Sequence, residues 1–465
     1  MMSAPPAPFQ PRSVPRFPGW MRSLGPGIIW MALAQGSGEL IWWPYMVAKY
    51  GLAFLFLLLP SALLQYPLTY EIGRYTLYTG ESVWKGFIRL HPVFAGLLWT
   101  VMMIQFLWFG AYASSGGTAL AALTHFPPGL SARGQSLFWA YASIAVFLGA
   151  LLTSRTVYKT IERLMWAVAV LTFAGLLAAC THPVALSSLP EVLRSLAVPA
   201  GAPARPWDPA DATPLLTAVT FMGLGGFWTL FYSYWIREKG CGMAFYHLDP
   251  QGGEGFVPGP DAREAPALRQ WLRFLKVDAG IGIAGNVATT LMTCLLAYAV
   301  LFPEGIAPKD WEIAAVQARF FELRWGGLGK GLFLIVAAAF LADTWLTTVD
   351  AVSRVNTDVV RNLFPGARSR SERWWYYAFL GLFSAVTAIT MPLAQPGPLI
   401  MLSAVIGFAG TVVFTAALGV LNFRRLPRSL PAWSHPGRFA RLALSFSWVS
   451  YLGLMGAYLW AVSRP

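Results

Sequence analysis

Gly25-Pro26-Gly27-Ile28-Ile29-Trp30-Met31-Ala32-Leu33-Ala34-Gln35-Gly36-Ser37-Gly38-Glu39-Leu40-Ile41-Trp42-Trp43-Pro44 is apolar enough to lie in hydrocarbon, yet its middle carries two glycines, a serine and a carboxylate. Glycine in a helix interior costs roughly 1 kcal/mol relative to alanine. A carboxylate at the bilayer centre costs at least ~2.5–3.5 kcal/mol. Both penalties at one point predict a helix that unwinds there. Each part has a plainer reading. The glycines could form a close-packing face, and Ser37 could cap an outer half-helix with Glu39 in its first turn. The capping reading itself requires a break.

A second stretch of this kind lies five spans further on. Thr220-Phe221-Met222-Gly223-Leu224-Gly225-Gly226-Phe227-Trp228 places three glycines near the middle of an apolar segment. Glycine is common in membrane helices, so the position matters more than the composition. Interrupted segments at matching places in two halves of a chain point to an inverted-repeat transporter with its substrate site between them.

The rest of the chain fits that frame. Of its 465 residues 56% are hydrophobic and 12% charged, against roughly 25% charged in an ordinary soluble domain. Its apolar blocks are each long enough to cross a bilayer as a helix, the form that satisfies the backbone internally in lipid. Eleven spans are predicted, near 22–48, 52–73, 93–123, 136–153, 162–180, 213–236, 271–301, 327–352, 374–393, 398–422 and 441–461. The fold class is therefore an all-α integral membrane protein with about 11 transmembrane helices, arranged as a 5+5 inverted repeat with helices 1 and 6 broken and one accessory helix. The expected divisions are a disordered cytoplasmic tail over 1–20, a first five-helix repeat over 21–180, an extracellular loop over 181–212, a second repeat over 213–422, and a loop with accessory helix 11 over 423–465. The inner loop Lys239–Leu268 reads as irregular from its Gly, Pro and charge. Ile313, Val316, Phe320 and Leu323 predict a short amphipathic helix in the outer loop before span 8.

Placing the N-terminus inside puts 25 of the 34 Lys and Arg on the inner side, as the positive-inside bias demands. The C-terminus then lies outside. The expected location is the cell inner (plasma) membrane, as a multi-pass and monomeric protein. Inner-loop arginines and anionic lipid account for the net charge of +13, with no nucleic-acid partner needed. Cys180, Cys241 and Cys294 have no paired spacing. The five histidines fall at span ends or in loops. No nucleophile–base pair and no phosphate-loop Lys-Ser/Thr ending is present. An enzyme is not expected, nor a cofactor.

The candidate substrate-binding residues are Gln35, Gly36, Ser37, Gly38 and Glu39 at the first break, Met222, Gly223, Gly225 and Gly226 at the second, and Asn286 in span 7. Glu39 is a hard oxygen ligand suited to Mg²⁺, Mn²⁺ or Ca²⁺, with Gln35 and freed carbonyls completing a shell. It could instead be a cap, or be held neutral by desolvation. On span 8, Asp343, Thr347 and Asp350 share one helix face, and Asp350 has Arg354 one turn on as an ordinary ion-pair partner. Asp278 is expected to be solvated or to pair with Lys276 or a loop arginine. Gln65 and Gln105 could line the pathway or join helices. The many tryptophans, including Trp42, Trp43, Trp374 and Trp375, read mostly as interface anchors or lipid-facing bulk without a substrate role.

Gly25-Pro-Gly, the interrupted first helix, Pro44…Tyr50-Gly51, Trp228…Tyr232-Ser-Tyr-Trp235 and Ala342-Asp-Thr-Trp-Leu-Thr-Thr-Val-Asp350 together resemble the Nramp family of divalent-metal transporters. The resemblance implies a LeuT-type fold and a secondary active transporter for a divalent metal cation such as Mn or Mg, coupled to protons or membrane potential. It implies metal ligands at Glu39, Gln35 and Met222, and a coupling-ion site at Asp343 and Thr347. The chain departs from the family pattern. Members typically carry Asp-Pro-Gly-Asn at the first break, where this chain has Gly36-Ser37-Gly38-Glu39. They carry Met-Pro-His in helix 6, where Met222 is followed by Gly223 and Leu224. A non-metal substrate, such as an amino acid or small organic solute, stays open on the same fold.

Overall fold

In the computed structural model, residues 8–463 are described except 37, 154–156, 200, 250–251 and 308–315. The first span is two half-helices. α1 (Pro26–Ala34) starts with proline in its first turn, where no amide is missed. The regular ladder stops at Gln35, and Gly36 N–H turns back to Ala34 O at 2.7 Å. The chain resumes as a wide π-type turn over Gly38–Trp42, then as α2 (Trp43–Tyr50), which ends at Gly51 with φ of 66°.

The helices that follow are α3 (Leu58–Thr79), the short α4 (Val83–Leu90), α5 (Pro92–Phe106), α6 (Gly110–Thr124), α7 (Ala132–Thr153), α8 (Val157–Cys180) and α9 (Pro183–Ala197). The sixth predicted span is again divided. α10 (Ala212–Thr220) breaks off, residues 221–225 are non-helical, a 3₁₀ stretch runs over Gly226–Phe231, and α11 (Tyr232–Glu238) completes it. Beyond it come α12 (Ala265–Leu296), α13 (Arg319–Leu363, kinked at Gly326), α14 (Glu372–Thr390), α15 (Pro396–Val420) and α16 (Arg438–Val462).

Each of the eleven predicted spans falls on a helix or a divided helix. Among the described residues five helices are long and apolar enough by themselves to cross a bilayer, including Pro92–Thr124 (α5 with α6) and α13. The broken ones fall short of that length because they are broken. The central apolar window of α13 is 80% buried within the protein and that of α16 only 17%. α13 therefore runs through the middle, and α16 lies at the periphery, as an accessory helix would.

The N-terminal tail differs from expectation. Gln10–Arg12 forms a strand, β1, paired in parallel with β2 (Phe256–Pro258) in the loop between α11 and α12. Val14 N–H donates to Glu264 Oε2 at 2.9 Å, Trp271 Nε1 donates to Pro15 O at 2.8 Å, and the Arg12 guanidinium lies 4.0 Å from the Phe256 ring centre. Proline density and low hydrophobicity suggest disorder, but proline needs only one free edge to join a two-stranded pair. The same pairing gives order to a loop expected to be irregular. Of the outer-loop amphipathic set, Ile313 and the Leu323 side chain lie outside the described residues, and Phe320 is buried.

Candidate substrate site at two helix breaks

The first break faces two helices. On the α12 side, Gln35 is fully buried, and its Nε2 donates to Thr289 Oγ1 at 3.2 Å. Among the described residues its Oε1 has no hydrogen-bond partner. Asn286, also fully buried, lies on the same turn, where Thr290 Oγ1 donates to its backbone oxygen at 2.8 Å. On the α13 side, a Cβ added to Gly36 would lie 3.0 Å from Thr344 Oγ1. A side chain there would have to push the Thr344 hydroxyl aside by a few tenths of an ångström. Thr347 is buried one turn further along α13. Ser37 and the side chains of Glu39 and Asp343 lie outside the described residues.

The second break is held open by side chains from other helices. Gly225 and Gly226 have φ of 70° and 55°, in the left-handed region that favours glycine. The Phe227 amide, released from the helical ladder, donates to Gln105 Oε1 at 3.2 Å. Gly223 packs on Gln65, whose Cγ would lie 2.8 Å from an added Cβ. The two glutamines that sequence left ambiguous thus both meet the break, and Gln105 replaces a lost backbone acceptor.

Between the breaks lies a small void walled by Gly36, Tyr112, Phe221, Leu224, Trp228 and Thr344. At about 10 Å³ it has room for the centre of roughly one water molecule. Trp228 organises its aromatic side. Its ring meets Tyr112 at 5.7 Å and Phe221 at 6.0 Å, nearly edge-on to the tyrosine, and Phe106 packs behind it at 4.8 Å. Its Nε1 donates to Thr348 Oγ1 at 2.8 Å, which fixes the indole on α13. Of the expected site residues the void takes Gly36. Gln35 and Asn286 gather on the α12 side, and Met222 is fully buried beside the break without walling the void. Tyr112, Phe221 and Trp228 were not anticipated, and Trp228, buried at the void, is neither an interface anchor nor lipid-facing bulk. Its place two residues after the glycine pair was the available signal.

Neighbouring carboxylates have structural roles. Asp278 receives the Tyr232 hydroxyl at 2.8 Å and packs against Gly27 at the start of α1; among the described residues it forms no ion pair with Lys276 or a loop arginine. Asp350 does pair with Arg354, at 2.9 Å, and receives the Tyr376 hydroxyl at 2.6 Å. Where α11 meets α13, Arg237 lies 3.6 Å from Glu254 and 3.9 Å from Asp358. Burial works against ionisation of Glu238, yet Arg354 and Arg237 hold its carboxyl below the usual range. Among the described residues no group of three or more His, Cys, Asp or Glu side chains is placed to hold a metal.

No protein-family model and no curated protein sequence matches the chain. Solved structures do match. A manganese transporter from Eremococcus coleocola, in complex with an aromatic bis-isothiourea substituted compound, superposes with a TM-score of 0.64 at 13% identity, over 98% of this chain and 90% of that one. A mutant of the same transporter gives 0.62 at 12% identity, over 98% and 96%. MhsT in complex with L-phenylalanine gives 0.58 at 16% identity, over 97% of this chain and 100% of its own. The fold that the Nramp resemblance implied is the fold observed: the chain is a multi-pass, all-α membrane protein with the LeuT-type architecture of these transporters.

Proposed function

We propose that the chain is a secondary active transporter whose substrate passes through the site between the two helix breaks. The observation that carries this is the void where both breaks meet, closed by residues from α1, α6, α10–α11 and α13. Unwound backbone supplies free donors and acceptors at mid-membrane, the usual basis of a transporter site. The fold is shared with a manganese transporter and with MhsT, which was solved with L-phenylalanine, so fold alone supports either kind of cargo.

The walls favour a small organic solute. Tyr112, Phe221 and Trp228 present ring faces and edges to the void, and such walls receive an apolar or organic-cation group while backbone dipoles orient its polar end. A divalent cation is the second reading. It rests on the buried, unpartnered Oε1 of Gln35, an oxygen ligand of the type that Mn²⁺ or Mg²⁺ takes. In that reading Glu39 and Gln35 are the ligands, with Met222 as a soft donor, and Asp343 and Thr347 form the coupling site.

Uptake into proteoliposomes decides between them. Wild type, Trp228→Leu and Glu39→Gln are compared for a panel of amino acids and for Mn²⁺ and Mg²⁺. Amino-acid uptake that falls at least tenfold in Trp228→Leu supports the organic reading. Metal uptake that collapses in Glu39→Gln installs the cation reading. No flux of any solute with correctly inserted protein would falsify the transporter assignment.

A further inference from the structure

Glu372 is the last acidic residue in the chain, and beyond it five arginines, Arg424, Arg425, Arg428, Arg438 and Arg441, fall within one stretch of 18 residues. Among the described residues none of the five forms an ion pair. The carboxylate beside them, Glu71, is buried, accepts from Asn422 at 2.8 Å and is already engaged by Arg74. Arg438 and Arg441 also stand in the first turn of α16, which has no acidic residue there and no side-chain cap. Positive charge at the positive end of a helix dipole is unfavourable. The cluster is thus uncompensated within the protein.

The cluster stands at the mouth of a groove. α15 and α16 diverge around a cavity of about 420 Å³ whose polar end holds Arg424 and Arg441 and whose apolar wall includes Val420, Leu444 and Trp448. Arg441 lies 5.7 Å from the Phe423 ring centre, with its guanidinium held at the rim. Along the groove itself Val420 is 41% exposed and Arg424, Arg441 and Ser445 are exposed, and Phe439, Leu442 and Phe446 on the outer side of α16 are exposed too, so the groove opens at a surface that faces hydrocarbon. Arg425 and Arg428 line another cleft together with Pro8 and Phe9, which puts the cluster on the same face as the N-terminal tail.

We propose that this groove binds an anionic phospholipid of the tail-side leaflet, its phosphate held by Arg424 and Arg441 and an acyl chain laid along Val420, Leu444 and Trp448. The headgroup supplies the negative charge that the arginines and the α16 terminus lack. The chain fills an apolar groove that a soluble anion would leave open. Basic pockets between membrane helices select anionic headgroups in this way, at about 1 kcal/mol per Lys or Arg.

The test is lipid binding by the full-length protein in detergent, followed by native mass spectrometry and by melting. Phosphatidylglycerol is expected to bind and to raise the melting temperature, and phosphatidylcholine is not. The double variant R424Q/R441Q weakens phosphatidylglycerol binding by about thirtyfold, from two charges at about 1 kcal/mol each. Ser445→Trp keeps every arginine, fills the groove from an exposed position, and weakens binding as well. Phosphatidylglycerol binding unchanged in Ser445→Trp overturns the proposal. So does an equal loss in the control variant R370Q/R373Q, which would show general surface attraction, or equal stabilisation by millimolar inorganic phosphate, which would show a free-anion site.

Discussion

Gln105 on α5 and Phe227 after the second break are joined across 122 positions of sequence, the side-chain Oε1 receiving the backbone amide at 3.2 Å. The bond satisfies an amide that unwinding has removed from its helix, in a place water does not reach. The Gln105 backbone oxygen also accepts from Ser403 at 3.2 Å, so α5 and α15 are tied at the same point. Gln105→Leu removes the side-chain acceptor and leaves the Phe227 N–H buried and unmet, which costs about 1–3 kcal/mol. Its melting temperature in detergent should fall, with far-UV dichroism retained below the transition. Unchanged melting would mean that the amide has another acceptor.

Gly226 tests the same break from the backbone. Its φ is 55°, and a Cβ would lie 2.6 Å from Gly407 Cα and 2.7 Å from Gln105 Nε2. Left-handed backbone costs an L-residue roughly 1–2 kcal/mol, and the contact with Gly407 is backbone, which yields poorly. Gly226→Ala should therefore destabilise more than Gln105→Leu and reduce transport. Gly381 in α14, with nothing within 4 Å of its added Cβ, is the control: alanine there should be neutral or stabilising by up to about 1 kcal/mol. Similar melting of the two alanine variants would remove the claim of a strained, close-packed break.

The breaks themselves were legible in sequence because glycine clusters and a carboxylate are costly in hydrocarbon, and only a change of structure offsets that cost. The spans were legible because length and apolarity suffice to mark a bilayer crossing. The walls of the void were not. Tyr112 and Trp228 differ from lipid-facing aromatics only in which side of a helix faces the protein, and that depends on long-range packing. The tail was misread for a related reason. Its prolines and low hydrophobicity describe Pro8–Pro18 alone, whereas its order comes from Phe256, Glu264 and Trp271, some 250 residues away.

That docking has a testable consequence. Arg12 stacks on Phe256, β1 pairs with β2, and Val14 and Pro15 bond to Glu264 and Trp271. Deleting residues 1–15 removes these contacts while leaving the helices complete. The truncated protein should insert and melt close to wild type, but limited trypsin digestion should cut at Lys239 or Arg263 several times faster. Equal cleavage rates would show that the loop between α11 and α12 holds its form without the tail.

His247 in that loop gives the same face a dependence on pH. It lines the cavity of about 460 Å³ between α11 and the end of α13, with Lys85, Arg237, Arg361 and Arg368 on one side of the charge balance and Glu254, Asp358 and Glu372 on the other. Burial, and then the Arg237 charge, push its pKa below 6.5, while Glu238, Glu254 and Glu372 oppose the shift without reversing it. The folded state thus binds fewer protons than the unfolded chain below about pH 6.5, and stability falls as pH falls through that region. It is fully present above the unfolded value and is lost as pH drops towards the depressed folded value. Wild type should lose melting temperature between pH 7.5 and pH 5.5. His247→Gln, which cannot charge, should lose less over the same interval and match wild type at pH 7.5. Parallel curves for the two proteins would mean that the acid sensitivity of this face belongs to another group.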